Sequence, residues 1–252
     1  MTTALITGAS AGFGAAIAAR LLADGARIVA CARRTGPLHE LQRRPPGRVL
    51  PLRLDVTDRA AVQRALDDLP APYADVDVLV NNAGLALGLE PAQRARVDDW
   101  DRMIATNCSG LVHVTRCLLP GMVARGRGVV VNLGSVAGEF PYPGGNVYGA
   151  TKAFVHQFTQ NLNADLIGTG VRATCIEPGL GGGTEFSSVR FGGDRLRAEA
   201  VHAGTTPLSP EDIADVVAWV AARPPHVTVN VVSMMPNCQS FAGLAVRRAA
   251  LT

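Results

Sequence analysis

Lysine is nearly missing from this 252-residue chain: among 24 Lys+Arg residues, only Lys152 is a lysine. Long apolar runs are missing too. Hydrophobic residues make up 48% of the chain but fall in short, interrupted stretches. A transmembrane helix needs about 20 consecutive apolar residues, so no membrane association is expected. The opening stretch, Met1-Thr-Thr-Ala-Leu-Ile-Thr7, has no basic region before its apolar run, and no signal peptide is expected. Cysteine is sparse and odd in number (Cys31, Cys108, Cys117, Cys175, Cys238), mostly in apolar contexts. Such cysteines read as free thiols of a reducing compartment, and a cytoplasmic location is expected. No Cys/His pattern has metal-ligand spacing, so no metal is expected. The formal net charge is only +3, with acids interspersed among the arginines. A nucleic-acid surface wants a concentrated basic stripe, so that partner class is excluded. The five histidines show no nucleophile–base pattern.

The one lysine falls in Tyr148-Gly-Ala-Thr-Lys152. Tyrosine and lysine at this spacing share a helical face. An ammonium beside a phenol favours the phenolate and is expected to bring its pKa below the ordinary ~10. A tyrosine so tuned exchanges a proton with a carbonyl or alcohol oxygen.

The rest of the chain alternates strand and helix patterns. Thr3-Ala-Leu-Ile-Thr7 is a short apolar strand, followed by Gly8-Ala-Ser-Ala-Gly12-Phe-Gly14 and a helical run from Ala15 to Ala23. Such a loop lets backbone approach a pyrophosphate at a helix N-terminus. The next strand, Arg27–Ala32, ends in Arg33-Arg34 rather than in an acid, which suits a 2′-phosphate. Residues 35–47, with Pro37, Pro45 and Pro46, read as a short helix and a loop. Further strands are expected at Val49–Leu54, Val76–Val80, Val129–Leu133, Val171–Ile176 and Val227–Val232. Asp58 is placed to cap a helix running to about Asp68. A helical segment through Trp100 and Asn107 continues to about Ala124, another carries Tyr148 to about Ile167, and Pro210 opens a last one to about Ala222. This order predicts one α/β domain over residues 1–252, a doubly wound, Rossmann-type fold with a seven-stranded parallel sheet and helices on both faces. Ligands bind such sheets outside the carboxyl ends of the strands. The Gly loop, Arg33, Asp55, Asn82, Ser135 and Pro178 all fall there. Residues 180–206, rich in Gly, Ser and Arg, are too long for a plain turn and read as a substrate loop.

These motifs jointly resemble the short-chain dehydrogenase/reductase family: Thr7-Gly-Ala-Ser-Ala-Gly-Phe-Gly14, Asn81-Asn-Ala-Gly84, Asn107, Ser135, Tyr148-x-x-x-Lys152 and Pro178-Gly179. Within it, Asn81–Pro91, Gly144–Phe154, Gly182-Gly-Thr-Glu-Phe186 and Met234-Met-Pro236 look like the NADP-dependent 3-hydroxy acid (serine/allo-threonine) dehydrogenases, with sulfoacetaldehyde reductases as near relatives. The resemblance implies hydride transfer between NADP(H) and a carbonyl or alcohol, with a small 3-hydroxy or 3-oxo acid or semialdehyde as substrate. It implies Tyr148 as acid/base, Lys152 holding the nicotinamide ribose and lowering the tyrosine pKa, Ser135 on the substrate oxygen, and Asn107 holding a water. It places the dinucleotide on Gly8, Ser10, Gly12, Phe13, Gly14, Arg33, Arg34, Asp55, Val56, Asn82, Ala83, Gly84, Pro178, Gly179 and Thr184, besides Tyr148 and Lys152. A stripe of Phe154, Phe158, Leu162 and Leu166 resembles the paired helices through which relatives form homotetramers. Two readings stay open beside this one: a ketoreductase for a larger biosynthetic intermediate, and a non-enzymatic NADP-binding sensor. Glu139 departs from the family pattern and is expected to alter the pocket. A substrate carboxylate needs a cation, and Arg190 in the 180–206 loop is the candidate.

Overall fold

The computed structural model describes residues 1–43 and 47–241. Pro45 and Pro46 lie outside the described residues, as does the tail beyond Phe241. Seven parallel strands form one sheet: β1 (Thr3–Thr7), β2 (Arg27–Ala32), β3 (Val49–Arg53), β4 (Val78–Asn81), β5 (Gly128–Leu133), β6 (Val171–Pro178) and β7 (Val231–Met234). Their order is β3-β2-β1-β4-β5-β6-β7. The chain therefore winds outward from β1 in one direction, returns, and winds outward in the other. This leaves a crevice beyond the carboxyl ends of β1 and β4.

Strand alternation divides the core into two layers. Ala4 and Ile6 of β1 face α1 (Gly12–Ala23) and α9 (Pro210–Ala221), where Ile17, Leu21, Ile213 and Val217 are buried. Leu5 faces the other side, onto α3 (Arg59–Asp67), α5 (Leu111–Ala124) and α6 (Asn146–Asp165). A short helix, α2 (Gly36–Gln42), follows β2, and α4 (Val97–Ile104) leads through a π-helical turn, Ala105–Gly110, into α5. Asp58 caps α3 as its position dictates, accepting from the Ala61 N–H at 2.9 Å. Ser209 and Asp212 form a reciprocal capping box at the start of α9.

Three features differ from the sequence expectation. The last strand begins at Val231, not Val227. Residues 227–230 meet β6 by single contacts, Thr174 Oγ1 to the Val229 carbonyl (2.6 Å) and Cys175 N–H to the Asn230 carbonyl (3.0 Å), before a ladder forms. Residues 180–206 hold two short helices, α7 (Phe186–Arg190) and α8 (Arg195–Ala200). Finally, the α6 stripe divides. Leu162 and Leu166 are core residues, whereas Phe154 is 41% exposed and stacks on half-buried Phe158 with ring centres 5.8 Å apart.

Candidate active site

The crevice is a cleft of about 880 Å³ at the carboxyl ends of the strands. One end is backbone. Gly8 (φ +69°) and Gly12 (φ +53°) take left-handed conformations that favour glycine. A Cβ at Gly14 would lie 2.4 Å from the Gly8 carbonyl oxygen, so the turn closes only with glycine there. Among the described residues no side chain caps the N-terminus of α1, whose first residues, Gly12 and Phe13, line the cleft. Thr7 pins this turn to the next strand: its hydroxyl accepts from the Asn82 and Ala83 N–H groups, both at 3.0 Å. The Asn82 side chain donates back to the Thr7 carbonyl at 2.9 Å. The turn also spells G-x-S-x-G, the pattern of a nucleophile elbow. Ser10, however, is contacted by Arg34 at 3.5 Å, and among the described residues no histidine bonds to it.

Ser10, Phe13, Arg33, Arg34, Asp55 and Val56 line the same end, and Ala83, Gly84, Pro178, Gly179 and Thr184 line the floor and far wall. Asp55 also builds its own turn, accepting from the Thr57 N–H (3.0 Å) and Oγ1 (2.8 Å). Burial raises its carboxyl pKa, but these hydrogen bonds and the Arg33 charge outweigh that and hold it below its ordinary value. Arg34 is engaged by Glu185, at 3.0 and 2.5 Å. The pair bridges the end of β2 to the start of α7 across the mouth of the cleft. Glu185 falls in the family-like Gly182–Phe186 stretch, but its pairing with Arg34, 151 residues away, has no local sequence signal.

The other end gathers Ser135, Tyr148, Lys152 and Arg190. Ser135 follows β5, accepts from the Ala137 N–H (3.1 Å) and donates to the Pro178 carbonyl (3.3 Å). Tyr148 and Lys152 come from the first turns of α6, and both are buried. Lys152 Nζ donates to the Leu133 carbonyl at 2.7 Å and lies 5.9 Å from the centre of the Tyr148 ring. The expected lowering of the tyrosine pKa is not found in the protein itself. Burial pushes Tyr148 up to about 12, against the lowering effects of the Ser135 hydroxyl and the Arg190 charge. The same burial brings Lys152 down to about 8. Desolvation disfavours both charged forms and is the largest effect on each.

Asn107 does not border the cleft. It sits in the π-helical turn, where its Oδ1 accepts from the Leu85 N–H and its Nδ2 donates to the Leu85 carbonyl, each at 2.9 Å, and to Thr151 Oγ1 at 3.0 Å. Its side chain is thus spent on clamping the strand-four loop to α6. Glu139 does not line the cleft either; it follows a 3₁₀ turn, Val136–Gly138, and is exposed. Arg190 does enter. Its Nε donates to the Gly88 carbonyl (3.1 Å) and one terminal nitrogen to Tyr142 Oη (2.6 Å), and its guanidinium carbon stands 5.6 Å from the Tyr148 ring centre. Tyr142 was not foreseen, since no motif marks it.

A family model described as short chain dehydrogenase matches residues 2–190. The chain belongs to the short-chain dehydrogenases. This dehydrogenase is 57% identical over 244 residues to the NADP-dependent 3-hydroxy acid dehydrogenase YdfG of Salmonella typhimurium, covering 97% of this chain and 98% of that one. It is 46% identical over 246 residues to the serine 3-dehydrogenase of Rhizobium radiobacter, covering 98% of each. A solved structure described as the closed form of serine dehydrogenase complexed with NADP+ matches it with a TM-score of 0.97 at 53% identity, over 98% of this chain and 100% of the other. No helix among the described residues is long and apolar enough to cross a membrane.

Proposed function

We propose that this dehydrogenase interconverts a small 3-hydroxy acid with its 3-oxo acid or semialdehyde, using NADP(H). The observation that carries the reading is the pairing of two sites in one cleft. An uncapped helix N-terminus and two arginines stand at one end; a buried tyrosine, a serine and Arg190 stand at the other. The residues present fit the cofactor. The open N–H groups of α1 suit a pyrophosphate, Asp55 suits the adenosine, Arg33 and Arg34 suit the 2′-phosphate, and Lys152 suits the nicotinamide ribose. When bound, NADPH supplies the hydride to a carbonyl carbon. Tyr148 gives its proton to the carbonyl oxygen, and in the reverse direction takes it from the alcohol. Ser135 donates a hydrogen bond to that oxygen as charge develops. Arg190 meets the substrate carboxylate. Asn107 acts through structure, fixing the loop beside Lys152. The test is NADPH oxidation with a panel of 3-oxo acids, semialdehydes and uncharged aldehydes. Turnover confined to bulky, uncharged ketones would overturn the reading.

Arg190, held by Gly88 and Tyr142 beside Tyr148, supplies a cation for a small acid, which favours that substrate over a larger uncharged intermediate. A sensor has no use for Tyr148 and Ser135 in this geometry.

Cofactor choice follows from charge. Hydrogen bonds to charged groups contribute about 1.5–3 kcal/mol each. NADPH is therefore expected to exceed NADH in kcat/KM by about tenfold or more, and equal efficiency would remove Arg33 and Arg34 from this role. The remaining proposals concern the protein's state. Five free cysteines fit a reducing, cytoplasmic setting. Exposed Phe154, stacked on half-buried Phe158, supplies an apolar contact for a symmetric homotetramer. Sedimentation equilibrium at micromolar concentration checks this, and a monomer rejects it.

A further inference from the structure

Among the described residues, one cluster of metal-ligand types stands outside the cleft: His156 on α6, with Cys175 and Glu177 on β6. Sequence spacing conceals it, because its members come from two elements. Strand alternation puts Cys175 and Glu177 on one face of the sheet, and α6 lays His156 against that face. The nitrogen, sulfur and oxygen donor atoms all lie within 4.8 Å of one another. Glu177 Oε1 is met by His156 Nδ1 at 2.6 Å and by the Cys175 thiol at 3.6 Å. Its second oxygen, Oε2, is buried with no hydrogen-bond partner among the described residues, on a residue only 1% exposed. A buried carboxylate left half-satisfied carries a free-energy cost that a cation would remove.

We propose that His156, Cys175 and Glu177 form a binding site for a zinc-type divalent transition metal ion. The donor set of imidazole nitrogen, thiolate sulfur and carboxylate oxygen is one that zinc takes and that magnesium and calcium do not. Charge agrees with burial. One thiolate and one carboxylate cancel a dication, and the imidazole stays neutral, so no net charge is buried. On binding, the Cys175 proton leaves to solvent, and the hydrogen shared between His156 Nδ1 and Glu177 Oε1 is replaced, through solvent, by one on Nε2, so that Nδ1 becomes the ligand. Zinc–donor distances of about 2.0–2.3 Å need His156 Nδ1 and Glu177 Oε1 to separate by several tenths of an ångström. A water completes the tetrahedron. The His156 side chain is 36% exposed, which gives the ion an entry path. The site underlies the turn before Ser135: a Cβ at Gly134 would come within 2.7 Å of Cys175 Sγ and 3.0 Å of the Glu177 side chain.

The probe is Co²⁺, added to the metal-stripped, reduced full-length protein and followed by absorption. One equivalent should give tetrahedral visible bands and a near-ultraviolet thiolate-to-cobalt charge-transfer band, both displaced by Zn²⁺. Cys175→Ser should abolish the charge-transfer band. His156→Gln should weaken binding by at least the ~10–100-fold lost when a metal site's outer partner is removed. Cys238→Ser, at an exposed thiol, should change nothing. The proposal is overturned if the parent protein gives no charge-transfer band, if the band survives Cys175→Ser, or if it vanishes with Cys238→Ser. Should Cys175→Ser fail to fold, His156→Gln decides: undiminished affinity there rejects the site.

Discussion

Tyr148→Phe is expected to lower kcat by about 10²–10⁴-fold, the usual contribution of a positioned acid or base. The ring that packs edge-on against Phe186, with centres 5.7 Å apart, is retained, so the fold and NADPH binding should be nearly unchanged. Fluorescence titration with NADPH and stopped-flow hydride transfer separate the two effects. Near-normal turnover would remove the tyrosine from the reaction. The raised pKa of Tyr148 sets a direction for pH as well. A phenol pushed up to about 12 is already protonated at neutral pH, as carbonyl reduction requires. Alcohol oxidation needs the phenolate, so its rate should climb as pH rises from 7 toward 10 while reduction does not gain. Lys152, brought down to about 8, loses its charge within that range, so any help it gives the phenolate fades there.

Arg190→Met is expected to reduce kcat/KM for a 3-hydroxy acid by an amount equal to about 1.5–3 kcal/mol, the value of a hydrogen bond to a charged group. An uncharged alcohol of similar size provides the control. Methionine keeps the length of the side chain but leaves the Gly88 carbonyl and Tyr142 hydroxyl without their donor. That loss affects both substrates, whereas the lost carboxylate contact affects only the acid. The difference between the two substrates is therefore the quantity to read. Equal losses would make Arg190 a brace for α7 and nothing more.

The sheet and most of its strand ends were legible because period-two apolar runs and glycine-marked turns are local signals. The gathering of the glycine turn, the arginines and Asp55 at one end of the cleft was legible for the same reason: each sits at a strand terminus. What stayed hidden depends on contacts between distant segments. Glu185 gains meaning only from Arg34, and Tyr142 only from Arg190. The tyrosine pKa was misjudged because the spacing of Tyr148 and Lys152 reveals their proximity but not how fully both are desolvated. Glu139 looked like a pocket residue because it departs from the family pattern, yet it follows the 3₁₀ turn as an exposed residue and is not among those lining the cleft. The α6 stripe looked uniform, but the core takes only its later half.

The reversal of strand order at β1 has a thermodynamic consequence. The cleft belongs to two halves of the sheet that share one seam, where the Thr7 hydroxyl donates to the Val80 carbonyl at 3.4 Å and accepts from the loop beyond β4. A dinucleotide held by the residues on both sides of that seam would act as a staple between the halves, and the unfolded chain offers no comparable site. Ligand at 100 times its Kd should then add about 2.7 kcal/mol to the free energy of unfolding. Amide hydrogens on both sides of the seam, in β1 and β4 together, should slow in exchange by the same factor. Protection confined to one half would mean that the halves open independently and the ligand grips only one of them.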